Sequence, residues 1–266
     1  ATPFDDWAAK HGKVYTSSER LRRMAIYNVN AGIVRAHNAV SSFKLSLDGP
    51  FADMTNKEYR ARLNPQLSVG KVEGEEAPAK ETVLGDVDWR DKMPAIRDQA
   101  QCGSCWAFSA VGTLEGRFIV ETGASNTIDL SEQQMVDCSD SAGNMGCNGG
   151  WHDNTLKYIK TSGGVMKESD YPYVARDQSC MEDKSKNYVT LSSVSIPTAK
   201  SESALMSALD SGPVAIAIDV SHISFQLYTT GIYDEPKCSS TRLDHAVIAV
   251  GYGSNSEGNY WIVRNS

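Results

Sequence analysis

The sequence predicts an α+β fold of one helical and one β-barrel-like lobe, preceded by a helical leader. Two observations predict it. Helix-period patterns occupy the leader and the first half of the remaining chain. Alternation of β-branched with smaller or polar residues is confined to the final third, from Pro213 onward.

In the leader, residues 4–63 read as helical. Glu19, Arg23, Tyr27, Asn30, Val34 and Asn38 follow at intervals of three and four, which places all six on one helix face. The stretch Leu47-Ser-Leu-Asp-Gly-Pro-Phe-Ala-Asp53 comes next. Residues 64–85, with Pro65, Gly70, Gly74, Pro78 and an acidic cluster at Glu73, Glu75 and Glu76, read as an exposed linker. The expected boundary falls near residue 80, dividing the chain into 1–80 and 81–266.

Composition narrows the function classes. A chain of 266 residues with 41% apolar and 22% charged residues has room for a substantial core and an ordinary soluble surface. No apolar run approaches membrane-spanning length, so no membrane span is expected. Ala1 opens directly on polar, helix-like sequence, without the apolar core of a signal peptide. The net charge of −7 conceals an asymmetry: 12 basic and 9 acidic residues give +3 over residues 1–80, leaving −10 over 81–266. A basic leader on an acidic body suggests mutual attraction. The acidic body argues against a nucleic-acid partner.

The body is organised around Gln99-Ala-Gln-Cys-Gly-Ser-Cys-Trp-Ala-Phe-Ser109, where a polar loop turns into a helix. Ala107, Ala110, Val111, Leu114 and Phe118 supply the apolar spacing, and Gly123 a stop. Cys105 thus sits at a helix N-terminus, where unpaired N–H groups favour a thiolate. The Gln99 side chain lies within reach as a donor to a developing oxyanion. Three readings compete: a C-x-x-C redox pair, half a zinc site, or a nucleophile at Cys105 beside a structural Cys102. A redox pair should follow a strand in a small βαβ domain, and a zinc site needs a second close ligand pair. The polar, mostly helical sequence before Cys102 and the wide spacing of Cys138 and Cys147 fit neither.

The peptide Cys102-Gly-Ser-Cys-Trp106 carries the C-G-[SA]-C-[WY] signature of papain and the cathepsins. On these residues the chain resembles papain-like cysteine peptidases, and the resemblance covers nearly its whole length. The stripe from Glu19 to Asn38 is similar to the E-R-F-N-I-N pattern of cathepsin L-like propeptides, with Tyr27 for Phe and Val34 for Ile. Phe51 and Asp53 match the G-x-N-x-F-x-D motif, in which Leu47 and Gly49 replace Gly and Asn. The wording around Asp48-Gly-Pro-Phe-Ala-Asp53 is most similar to protozoan, histolysain-like members. The resemblance implies a papain-like two-lobe fold preceded by an inhibitory propeptide, 1–80, ahead of a peptidase domain, 81–266.

Further along, Ser131 with Gln134 makes a capping-box pattern at the start of a second helix. Gly146-Cys-Asn-Gly-Gly150 reads as a tight turn. Strands are expected at Pro213–Val220, Leu243–Val250 and Tyr260–Val263. A histidine opening an apolar strand, such as His245, is usually structural, and a terminal Asn such as Asn265 is usually turn chemistry. Their order changes that reading. His245 follows Cys105 by 140 residues and Asn265 follows by 20 more, the Cys-His-Asn order of papain-like enzymes.

By resemblance, Cys105 and His245 form a thiolate–imidazolium pair, Asn265 orients the imidazole, and Gln99 with the Cys105 N–H holds the oxyanion. Gly149 and Gly150 line the cleft, and Asp244 contacts substrate. Trp151, His152, Ala217 and Leu243 surround an S2 pocket of apolar preference. The implied disulfides are Cys102–Cys147 and Cys138–Cys180, leaving Cys238 over. No metal or organic cofactor is required. In relatives the chain continues past the residue matching Asn265, so this sequence is expected to be incomplete at its C-terminus, without its pocket floor and unable to act as a competent peptidase as it stands. The implied function is a thiol-dependent endopeptidase zymogen of the secretory pathway, lysosomal, vacuolar or extracellular. Its implied partners are peptide or protein substrates, its own propeptide, and cystatin-like or E-64-type inhibitors. The alternatives are a catalytically silent papain-like binding protein and, less favoured, a redox protein.

Overall fold

The structure is a computed structural model that describes residues 1–64, 75–77, 85–125 and 127–266. Most of the expected linker lies outside the described residues.

Threonines start the leader's helices. Thr2 caps α1 (Pro3–Lys10): its hydroxyl accepts the Asp5 N–H while the Asp5 carboxylate accepts the Thr2 N–H. Thr16 caps α2 (Ser17–Asn38). After β1 (Lys44–Leu45), Thr55 caps α3 (Asn56–Arg60) and forms the same reciprocal box with Glu58. Residues 4–63 are therefore three helices, not one helical stretch. Gly49 and Pro50 lie in the gap, where proline's missing N–H and fixed φ oppose helix.

The body follows as β2 (Glu75–Ala77), β3 (Val87–Asp88), α4 (Cys105–Thr122), α5 (Glu132–Cys138) and α6 (His152–Ser162). The remainder is β4 (Ser195–Pro197), α7 (Glu202–Leu209), β5 (Val214–Ile218), α8 (Ile223–Gln226), β6 (Tyr228–Thr230), β7 (His245–Asn255) and β8 (Gly258–Arg264). The expected strands are present with shifted ends, since β7 begins at His245 and runs on to Asn255. At α5 the Ser131 hydroxyl accepts the Gln134 N–H at 3.0 Å. Gln134 does not return the bond, because its amide accepts from Met166 N–H at 2.8 Å and donates to Glu182 at 3.0 Å. Only half of the expected capping box exists.

The chain forms two compact units. One comprises residues 1–63 and 220–238, where β1 pairs antiparallel with β6 and Phe4, Trp7, Tyr27, Phe43, Leu45 and Leu227 form the core. Asn30, buried on α2, donates to the Ala52 and Met54 carbonyls at 2.8 and 3.0 Å. A buried amide thereby fixes the helix on the following loop.

The other unit comprises residues 64–219 and 239–266. Its antiparallel sheet runs β3-β7-β5, with β8 also paired to β7. Helix α4 lies against β7. The Ser109 hydroxyl donates to Val247 O at 2.7 Å, and a Cβ added to Gly112 would come within 2.7 Å of the Ile248 side chain. A side chain there would displace the end of Ile248. One turn before Ser109, Cys105 at the helix start accepts the Ala246 N–H.

Candidate active site

Cys105 is the first residue of α4 and is fully buried, in a core cluster that includes Trp106, Ala107 and Ala246. Burial pushes its thiol up to about 11, against the pull of the Ala246, Trp106 and Cys105 N–H groups. His245 opens β7 and is buried as well, which holds its pKa below the ordinary histidine value despite its bond to Asn265. Burial thus works against the charged form of both groups. Loss of hydration thereby opposes the thiolate that the helix N-terminus favours, and it opposes imidazolium as well.

The imidazole is held in one orientation. His245 Nε2 lies 2.6 Å from Asn265 Oδ1, and the same oxygen accepts Ser266 N–H at 2.9 Å. Since Oδ1 is the acceptor, Nε2 carries the proton and Nδ1 keeps its lone pair. Gln99 is oriented too. Its Oε1 accepts the Ser266 hydroxyl at 3.0 Å, which turns its NH2 group toward Cys102 O, also at 3.0 Å.

The glycine turn is occupied by a residue the sequence did not single out. Asn64, 2% exposed, donates its side-chain N–H to Gly150 O at 3.0 Å and its backbone N–H to Asp244 O at 2.9 Å. A Cβ on Gly149 would lie only 2.4 Å from Asn64 Oδ1, so the missing side chain leaves room for this carboxamide. The disulfides Cys102–Cys147 and Cys138–Cys180 brace the region, and the first holds the glycine turn to the Cys105 loop. The Gly103 N–H donates to Cys147 O at 3.0 Å across the same junction.

Compared with known families, residues 84–266 match the papain family cysteine protease, and residues 4–59 match the cathepsin propeptide inhibitor domain. The chain belongs to the papain family of cysteine proteases. It is 45% identical to cysteine proteinase 2 of Entamoeba histolytica, with 100% of this chain and 85% of that one covered. It is 40% identical to procathepsin L of Mus musculus, covering 98% and 81%. Among solved structures, digestive procathepsin L 3 of Tenebrio molitor larval midgut superposes with a TM-score of 0.88 at 35% identity, covering 100% and 90%. The protease therefore has the papain-like fold with its propeptide domain.

The remaining expected site residues of the protease are distributed as follows. Trp151 and Leu243 pack half-buried on the cluster around Cys105, and Ala217 pairs with Ala246 in the β5–β7 ladder. His152 opens α6, and burial keeps its pKa low. Two anchors escaped the sequence reading. Asn144 accepts the Trp151 N–H at 2.8 Å and donates to Ser139 and Thr155 hydroxyls at 2.8 and 3.1 Å. Tyr173 donates to Gln99 O at 2.8 Å and meets Ser104 Oγ at 2.7 Å. Tyr173 acts across 74 and 69 positions, and the Asn144 partners, 5, 7 and 11 residues away, follow no helix or strand period.

Proposed function

We propose that the protease is a thiol-dependent endopeptidase zymogen in which Cys105 is the nucleophile, His245 the acid and base, and Asn265 the orienting group. The 2.6 Å His245–Asn265 bond at the strand start beside Cys105 carries this reading. With Nε2 committed to Asn265, Nδ1 is the nitrogen free to take the thiol proton when the site opens to water. The thiolate attacks the scissile carbonyl carbon, and the carbonyl oxygen gains charge facing the Gln99 amide and the Cys105 N–H. Imidazolium then protonates the departing amine. In the second half-reaction the neutral imidazole left behind removes a proton from the water that releases the acyl group.

Residues 1–80 are assigned as the propeptide and 81–266 as the peptidase domain. Asn64 supports autoinhibition, since its two donors take the Gly150 and Asp244 carbonyls, the partners assigned to substrate backbone. Trp151, Ala217 and Leu243, with His152 at the rim, favour an apolar P2 side chain. The natural substrates are peptides or proteins met along a secretory, lysosomal or digestive route. Cystatin-like proteins and epoxides are the fitting inhibitors.

After removal of the propeptide, titration with an E-64-type epoxide should consume one thiol per chain and stop turnover of a fluorogenic dipeptide. Cys105→Ser should show neither reaction. An unreactive Cys105 in the processed protein would place it with silent, binding members of the fold instead.

A further inference from the structure

Arg264 is the last residue of β8 in the ladder, paired with Ile248, and Asn265 is the next residue out. Successive side chains on a strand point to opposite faces. Arg264 therefore reaches away from the His245 side, and its guanidinium donates to two consecutive carbonyls, Pro94 O at 2.6 Å and Ala95 O at 2.7 Å. A planar fork suits this pair of acceptors, whereas an ammonium offers a single centre.

The anchor it grips is itself fixed. Two residues on, Arg97 donates to Leu130 O at 2.8 Å, pairs with Asp129 at 2.7 Å and Glu168 at 3.3 Å, and bonds Glu132. Glu115 lies 3.7 Å from the same guanidinium. Arg264 also feels the attraction of Glu115 and Glu132 and the repulsion of Arg97. Such a double hydrogen bond to a braced segment limits lateral movement of the strand end. That strand end carries Asn265, whose Oδ1 sets the ring of His245.

We propose that Arg264 is a positioning residue for the peptidase reaction, fixing Asn265, and through it the His245 imidazole, against the Pro94–Ala95 carbonyls. The proposal rests on the His245–Asn265 reading above. Arg264 touches no reacting atom. Its effect appears in the chemical step and not in substrate binding, because a misplaced imidazole lowers proton-transfer efficiency without altering the binding surface.

The test is a double-mutant cycle of Arg264→Met and Asn265→Ala in the full chain, processed and normalised to titratable sites. Arg264→Met alone should lower kcat roughly 10- to 100-fold with KM nearly unchanged. In the Asn265→Ala background the same change should cost little more, since the orienting bond is already gone. An equal fold loss in both backgrounds, a loss confined to KM, or unchanged kcat in Arg264→Met would overturn the proposal. If Asn265→Ala by itself left kcat unchanged, the reading of Asn265 would fail first. Should Arg264→Met yield no titratable enzyme, Arg264→Lys goes through the same cycle with the same criterion.

Discussion

Two compact units share this chain and are stabilised by different interactions. In residues 1–63 and 220–238, aromatic rings form the core and carboxylates at its margin are met by donors. The Thr2 N–H and Arg20 hold Asp5 well below the carboxylate range. Glu58 and Glu235 lose some hydration, but bonds from Thr55 and Ser224 outweigh that and lower them too. In residues 64–219 and 239–266 the balance reverses. Burial raises Glu115 to about 7, Glu132 well above its ordinary value, and Glu168 as well, although all three face Arg97. Among the described residues, both disulfides also lie in this unit. The same side-chain type thus responds to acid in opposite senses, according to whether donated hydrogen bonds or lost hydration dominates.

The largest expected effect separates the units by their bridges. Removing the Cys138–Cys180 disulfide, which closes a separation of 42 residues, with a double change to Ala should cost the second unit about 4 kcal/mol. Peptide-resolved amide exchange in urea should show the loss there and leave Phe4, Trp7 and Tyr27 protected as before. Equal loss in both units would mean that they unfold together.

Acid sharpens the contrast next. A carboxyl raised by folding keeps a proton that the unfolded chain releases. The Glu115 contribution is therefore complete below pH 4.5 and is lost as pH rises through about 7, on the order of 3 kcal/mol. Acidifying from pH 8 to 5 should strengthen the second unit, and Glu115→Gln should flatten that dependence. Asp5, Glu58 and Glu235 behave oppositely, with stability present above their unfolded values and lost as pH falls below about 4. Exchange rates at pH 8, 5 and 3 would expose any failure of this divergence.

A smaller effect is expected from Asn64→Ala. It deletes the bond to Gly150 O and keeps the backbone bond to Asp244 O, a change of about 1 kcal/mol or more. The zymogen should leak roughly 5- to 10-fold more activity on a fluorogenic dipeptide before processing. Unchanged latency would remove Asn64 from the inhibitory contacts. Smallest is Thr55→Ala, which breaks the α3 capping box and should cost the first unit about 1 kcal/mol, read as a lower Tm of that unit alone.

Local chemistry made much of this molecule legible. The helix at Cys105 and its stop at Gly123, which adopts φ 68°, follow from neighbours three and four residues apart. The strands at His245 and Tyr260 follow from alternation. Such signals lie within a few residues of the element they specify, so a single chain displays them. The break of the leader into three helices was harder to see, since the stripe from Glu19 to Asn38 describes only α2.

Tertiary structure decided whatever depended on distant residues or on water. Asn64 meets Gly150 across 86 positions, and Arg264 meets Pro94 across 170, distances over which no periodicity speaks. The joining of residues 220–238 to 1–63 in one unit is of the same kind. Protonation is the sharpest case. A helix N-terminus at Cys105 is written in the sequence and favours a thiolate. Whether the sulfur is hydrated is not written there, and in the folded chain its burial beside Ala246 works against that charge.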